Sequence, residues 1–562
     1  MENVHLMLKW LEEEVESSVD GFQRWQLVVA TAAFTLTVMA LRDLFNHRED
    51  VWEGMRKRAF RMLRSIPAVQ RRISEVLDAS RRELEKGMFA YSGRTKNRVP
   101  LRVLPPTGWS KEQVLQAASD DLAQGKYDWR DGKISGGTFS GGNDVYTNLL
   151  EHLYGKFALS NPLHADVFPG VRKMEAEIVR MTVSLFHGNE EQCGCITSGG
   201  SESILMAVKA MRDWGRDVKG INKAEIVACV TAHAAFSKAA DILGMKLRQV
   251  KMDPETCKVN LSAMRRAING NTVMLVASAP GFPHGIIDDV EGVGALGRRH
   301  GVPVHVDCCM GGFLLPFMER AGYPLAPFDF RVPGVTSISA DTHKYGNAPK
   351  GSSVVMYRSG AFRHHQYFTK MDWPGGIYGT PTVPGSRPGG SVAVCWGALL
   401  YHGVAGYTET TRTIINTARG IKNLLKAVPG LEVFGDPLTS IVAFRSKEDD
   451  IYKIGDILGQ HGWHLNFIQY PPGIHICVTS LQAASDFPRR FVSDVNDAVQ
   501  EVRKRPDGLA GVGKVYGTAA GIPDKSLVGE AAKMLLTCYY ETGPAGGRGI
   551  EEIGNEEDGQ EI

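Results

Sequence analysis

The chain has 562 residues, 43% hydrophobic and 22% charged, and its 64 Lys+Arg against 62 Asp+Glu leave a formal charge of +2. This is ordinary globular composition, and 62 Gly with 27 Pro exclude a collagen-like or broadly disordered chain. No basic surplus exists to neutralise phosphates, which argues against nucleic acid as a partner. The nine cysteines are scattered and lie mostly in apolar runs such as Ile226-Val-Ala-Cys229-Val, as buried thiols in a reducing compartment do. Neither Cys193-Gly-Cys195 nor Cys308-Cys309 has the spacing or the second Cys/His pair of a zinc site, so no metal is expected.

In chain order, the first element is an uncharged run, Trp25–Leu41, bounded by Arg24 and Arg42. As a helix it spans about 25 Å, the short end for a membrane crossing and suited to the thin endoplasmic-reticulum bilayer. An ordinary buried helix is the alternative. Glu2, Glu12, Glu13, Glu14, Glu16 and Asp20 precede the run, whereas Arg42, Arg48, Arg56, Lys57, Arg58, Arg61, Arg64, Arg71 and Arg72 follow it. The positive-inside rule then places residues 1–24 in the lumen and everything after Leu41 in the cytosol. An acidic start does not suit a cleaved signal peptide, so 25–41 reads as a signal anchor.

Residues 42–149 read as a basic helical connector. Val51–Lys86 has apolar residues at helical spacing, with Met55, Ala59, Met62 and Ile66 followed by Val69, Ile73, Val76 and Leu77. Its arginines form a solvated face or lie against anionic headgroups. Pro100, Pro105 and Pro106 break the pattern, and Ser110 with Gln113 starts another helix as a capping box. The run Gly136–Gly142 reads as a mobile lid.

From 150 to 404 short apolar runs alternate with helical stretches. The clearest strands are Ile226–Val230, Thr272–Ala277, Val302–Val306, Val335–Ser339 and Ser353–Tyr357. This is the pattern of an α/β domain with a buried, mostly parallel sheet, whose ligands collect at the carboxyl ends of the strands. After the first of these strands comes His233, after another Asp307, and after Val335–Ser339 the run Asp341-Thr-His343-Lys344. Ahead of them Ser198-Gly199-Gly200-Ser201 opens a helix with apolar side Ile204, Val208 and Met211. Each piece alone is common. Together they point to pyridoxal 5'-phosphate: a glycine cup at a helix start for its phosphate, an imidazole to stack on its ring, Asp307 for the pyridine nitrogen and Lys344 for the aldehyde. The lysine must shed a proton to react, which burial beside a cationic cofactor favours. Residues 405–540 read as a smaller α+β domain, with strands Leu431–Phe434, Ser440–Phe444 and Ile474–Val478 and a helix Phe487–Arg503; 541–562 is an acidic, disordered tail.

Four longer motifs are familiar: Ser339-Ala-Asp-Thr-His-Lys344-Tyr-Gly, His305-Val-Asp307-Cys-Cys-Met-Gly-Gly312-Phe, Asn161-Pro-Leu-His164-Ala-Asp-Val-Phe-Pro169-Gly and Gly385-Ser-Arg387-Pro-Gly-Gly390. They resemble the sphingosine-1-phosphate lyases, fold-type-I pyridoxal-phosphate enzymes related to the group II amino-acid decarboxylases. The resemblance implies a single-pass endoplasmic-reticulum enzyme with a cytosolic active site. Such an enzyme cleaves phosphorylated sphingoid bases between C2 and C3 by a retro-aldol step, giving a long-chain aldehyde and phosphoethanolamine. It implies that Lys344 forms the imine, Asp307 pairs with the pyridine nitrogen, His233 stacks on the ring, and Gly199, Gly200, Ser201 and His343 belong to the cofactor site. It also implies a homodimer in which the stretch with Tyr378, Gly389 and Gly390 completes the neighbouring subunit's site. His164 and Lys350 are candidates for contacting the substrate phosphate or moving protons. The family usually reads Ser-Gly-Ala-Val-Tyr where this chain has Ser135-Gly-Gly-Thr-Phe139, so the phenol is missing unless Tyr146 replaces it. A pyridoxal-dependent amino-acid decarboxylase shares the His, Asp and His-Lys elements and remains an alternative, as does a catalytically silent membrane scaffold of the same fold.

Overall fold

The computed structural model describes residues 66–89, 101–125, 127–504 and 525–542. The chain divides into two compact units, Met1–Lys126 with Thr518–Ile562, and Tyr127–Gly517. In the first unit helix Pro67–Phe89 packs against helix Lys525–Cys538. Arg81 donates to Glu85 and to Glu541, each at 2.7 Å. Helix Lys111–Leu122 starts on the expected capping box: the Gln113 N–H donates to Ser110 Oγ at 3.2 Å, and the Ser110 N–H to Gln113 Oε1 at 2.7 Å. Among the described residues no helix is long and apolar enough to cross a membrane. The expected span Trp25–Leu41, the stretch 51–65 and the tail beyond Thr542 lie outside the described residues.

The second unit is built on seven strands: β1 (Cys193–Thr197), β2 (Glu225–Cys229), β3 (Lys246–Val250), β4 (Thr272–Ser278), β5 (Val304–Asp307), β6 (Val335–Ala340) and β7 (Ser353–Tyr357). Their order is β1-β7-β6-β5-β4-β2-β3. β7 runs against both its neighbours, and every other pair is parallel. Strands β2, β4, β5 and β7 are buried along their whole length, as strands covered on both faces are. Alternate β2 residues serve different faces: Val227 and Cys229 join one hydrophobic cluster, Ile226 and Ala228 the other. The second cluster also takes Ile204, Val208 and Met211 from helix Gly200–Lys219, the apolar side read from the sequence.

Two strands of this sheet escaped the sequence reading. β3 is a polar edge strand, Lys-Leu-Arg-Gln-Val, whose Arg248 ion-pairs with Glu225. β1 carries Cys193-Gly194-Cys195, and its glycine is a packing requirement: a Cβ at Gly194 would lie 2.5 Å from the Val355 carbonyl oxygen of β7. Beyond β7, β8 (Phe368–Trp373) and β9 (Gly376–Thr380) form a two-stranded hairpin. Helix Gly389–Leu425 then leads to the smaller sheet, bending at Gly403, whose φ of 54° favours glycine. That sheet contains β10 (Leu431–Val433), β11 (Ile441–Ser446), β12 (Asn466–Ile468) and β13 (Gly473–Cys477), ordered β10-β11-β13-β12 and antiparallel throughout. Helix Ile451–Gln460 packs on β13, and helix Phe487–Lys504 meets β11 where Phe491 touches Phe444.

Candidate active site

The parallel strands deliver their carboxyl ends to one place. Asp307 ends β5, and the turn after β6 carries Asp341, His343 and Lys344. His233 follows β2, while Ser198–Ser201 connects β1 to helix Gly200–Lys219. Pro280 and Phe282 follow β4. All of these groups line one cavity of about 350 Å³. The crevice inferred from strand ends is therefore real, and Lys344, Asp307, His233, His343, Gly199, Gly200 and Ser201 share it.

Asp307 is held from below. The Cys309 N–H donates to its Oδ1 at 3.0 Å, and the Ser339 hydroxyl to the same oxygen at 3.3 Å. Burial pushes its carboxyl up, but the Cys309 thiol, the His233 charge and the Cys309 N–H outweigh that and leave it below the ordinary range. His305, two strand positions earlier, lies on the same face of β5 and shares Ser339 with Asp307. Its ring nitrogens meet Ser337 Oγ at 2.9 Å and Ser339 Oγ at 3.1 Å, and burial lowers it to about 4. His233 faces the cavity, and its Nδ1 accepts from the Ala235 N–H at 3.1 Å.

Lys344 behaves differently from the sequence expectation. Burial does lower its proton affinity, but Asp341, at 2.9 Å from Nζ, outweighs burial and raises it. The sequence reading quoted Asp341 within a motif and gave it no role. Its signal was there: a carboxylate three residues before a lysine at a buried strand end needs a partner.

The remaining candidates are not in the cavity. His164 is exposed in the turn before helix Pro169–Leu185. Tyr378 lies on β9 with its ring against Phe368 and Trp373. Gly389 and Gly390 open the long helix beside Ser160 and Tyr154, where a Cβ on either would collide. Lys350 is exposed, but its Nζ lies 4.8 Å from the Phe139 ring centre and donates to the His343 carbonyl at 3.4 Å. Burial of the amine and the Lys344 charge lower it.

Phe139 is buried edge-on against Tyr345 at 4.9 Å. Tyr146 does not take its place: its hydroxyl donates to the Asn347 carbonyl at 2.7 Å, and it does not line the cavity. The glycine-rich loop is also no loose lid. The Gly136 N–H donates to Cys477 O at 3.1 Å, the Cys477 N–H to Ser135 Oγ at 2.8 Å, Gln482 Nε2 to Gly132 O at 2.8 Å and Ser480 Oγ to Phe139 O at 2.7 Å. Gly136 and Gly137, at φ 67° and 78°, serve the turn.

The cavity suits pyridoxal phosphate. Glycines at a helix start offer uncrowded N–H groups to a phosphate, and the recorded bonds to Asp307 fall on Oδ1, leaving Oδ2 for a ring nitrogen. Fold and cavity are those of a pyridoxal-dependent enzyme of the decarboxylase type. The model of the pyridoxal-dependent decarboxylase conserved domain matches residues 102–447. The chain is 43% identical to the sphingosine-1-phosphate lyase of Drosophila melanogaster over 95% of its own length and 98% of the relative's. It is 44% identical to sphingosine-1-phosphate lyase 1 of Mus musculus, over 93% and 91%. The solved sphingosine-1-phosphate lyase of Burkholderia pseudomallei K96243 superposes with a TM-score of 0.70 at 40% identity, covering 72% of this chain and 94% of that one. The chain belongs to the sphingosine-1-phosphate lyase family.

Proposed function

We propose that this chain is a pyridoxal-phosphate-dependent lyase that cleaves the C2–C3 bond of phosphorylated sphingoid bases, releasing a long-chain aldehyde and phosphoethanolamine. The observation that carries the reading is the convergence of the Lys344 amine, the Asp307 carboxylate and the His233 imidazole on one cavity beside the glycine cup. Bound pyridoxal phosphate supplies a sink for the electron pair released when the bond breaks. The chain's residues do the rest. Gly199, Gly200 and Ser201 would seat the phosphate, Asp307 would keep a proton on the pyridine nitrogen, His233 would lie against the ring face, and Lys344 Nζ would offer the amine that tethers the cofactor. Lys350 lies outside the cavity lining, and its weakened hold on a proton supports it as the candidate to exchange one with the substrate or to meet its phosphate. Purified full-length chain should release phosphoethanolamine from a phosphorylated sphingoid base. Carbon dioxide release from amino acids in its place would favour the decarboxylase alternative, and neither product the silent scaffold.

The working form in this reading is a homodimer, with Tyr378, Gly389 and Gly390 serving the neighbour's site. Its support is the β8–β9 hairpin, whose Phe368, Met371, Trp373 and Ile377 are exposed: apolar side chains on a thin ribbon call for a covering surface. A Lys344→Ala chain mixed with a Tyr378→Ala chain should recover activity that each lacks alone; a mixture as inactive as its parts refutes shared sites. The chain is further proposed to be anchored in the endoplasmic-reticulum membrane by residues 25–41, with its body in the cytosol, on the charge asymmetry around that run. Protease added to intact microsomes should digest the catalytic body; protection of that body would reverse the topology.

A further inference from the structure

One contact in the cavity has no part in that mechanism. Lys344 Nζ lies 2.9 Å from Asp341 Oδ2, the Asp341 side chain is 2% exposed, and its Oδ1 is buried without a partner. The carboxylate is wedged against the start of helix Gly200–Lys219, where a Cβ on Gly200 would fall 2.8 Å from both its oxygens. It thus rests at the amino-terminal end of that helix. The charged and titratable groups around Lys344 are Asp341, His343 and Lys350 from its own segment, Asp307 and Cys309 from the end of β5, His233 from beyond β2, and Glu202 from the helix start. The recorded ion pair of Nζ is with Asp341.

We infer that Asp341 is the positioning residue of Lys344: its carboxylate holds the ammonium at the cavity and accepts one of its protons when the amine must become a nucleophile. The inference rests on the reading of Lys344 as the attachment point. In the transfer an N–H bond of the ammonium breaks, its electron pair stays on nitrogen, and an O–H bond forms on Asp341. The proton moves within the pair, so the buried site keeps its net charge and no lone ion is left in low dielectric. Without the carboxylate, burial would leave Lys344 neutral at lower pH, as buried amines are. Asp341 therefore acts as a hold on reactivity as well as an anchor.

The test is the pH at which Lys344 becomes reactive in the full-length chain after the cofactor is stripped, read by peptide mass spectrometry with an amine-selective acylating reagent. Exposed Lys238 is the internal comparison. In the wild type Lys344 should stay unlabelled to higher pH than Lys238. Asp341→Asn should move the Lys344 midpoint down by at least about one pH unit, roughly tenfold faster labelling near neutrality, and Asp341→Glu should restore much of the wild-type profile. Labelling of wild-type Lys344 in step with Lys238 overturns the inference without any variant needing to fold, and so does a midpoint unmoved in Asp341→Asn. Borohydride reduction of the loaded chain separates the two readings. Cofactor fixed to another lysine sinks the attachment itself, whereas an unmoved midpoint with cofactor fixed on Lys344 sinks Asp341 alone.

Discussion

Asp307 and Asp341 stand at the ends of adjacent strands, and their neighbours give them different work. Asp307 lines the cavity with Oδ1 held by Cys309 and Ser339, and its carboxyl stays below the ordinary range despite burial. An ionised carboxylate is what holds a proton on a ring nitrogen. Asp307→Asn preserves shape but loses the charge, so the variant should bind the cofactor and turn over on the order of a hundredfold more slowly; a kcat near wild type would remove Asp307 from its role. Lys344→Ala should abolish turnover and the visible absorption of the bound cofactor together. A normally active variant would refute the tether. Neither His233 nor Lys344 is unusual as an isolated residue, and they were legible because each follows an apolar strand. Asp341 was legible in its spacing, three residues before Lys344 at a buried strand end, and the folded turn shows that the lysine is its partner.

The strands that the sequence revealed, β2, β4, β5, β6 and β7, are buried throughout or nearly so, and β2, β4 and β7 are mostly apolar as well. β1 and β3 were hidden for opposite reasons. β3 is a polar edge, and in β1 a glycine between two cysteines resembles a loop until the closeness of β7 explains it. Gly194→Val forces side-chain atoms against the Val355 carbonyl, so it should destabilise the second unit by about 1–3 kcal/mol, read as a lower urea midpoint; an unchanged midpoint would show that β1 can move away. The β8–β9 hairpin and the docked loop around Phe139 were illegible locally. The hairpin's exposed side chains find no cover within its own ribbon, and the loop's hydrogen bonds go to residues more than three hundred positions away.

At the scale of the whole molecule, three imidazoles buried among the described residues set an acid limit. His284, His305 and His475 titrate near 6.5 when unfolded, and burial lowers each to about 4 in the folded chain. Between these values the unfolded chain binds more protons. Their contribution to stability is therefore complete above about pH 6.5 and is lost progressively as pH falls toward 4, with roughly 3 kcal/mol at stake per residue. Thermal midpoints should fall across that window, and His305→Gln should flatten the decline. A profile level from pH 7 to about 4.5 would contradict the neutral burial of these rings.

The reversal of β7 has a consequence for how the chain tolerates length changes. Because β6 and β7 are antiparallel neighbours, with Ala340 opposite Val354, the segment between them leaves and re-enters the same sheet edge. The Ser352 carbonyl accepts from His343 Nδ1, and the Tyr345 hydroxyl donates to Val478 O at 2.8 Å, so the lysine-bearing arc is fastened early in its course. A residue inserted at Gly351, on the far limb, should be absorbed as slack and leave the catalytic amine in place. One inserted within β6 would turn its downstream side chains to the other face of the sheet and take the amine out of the crevice.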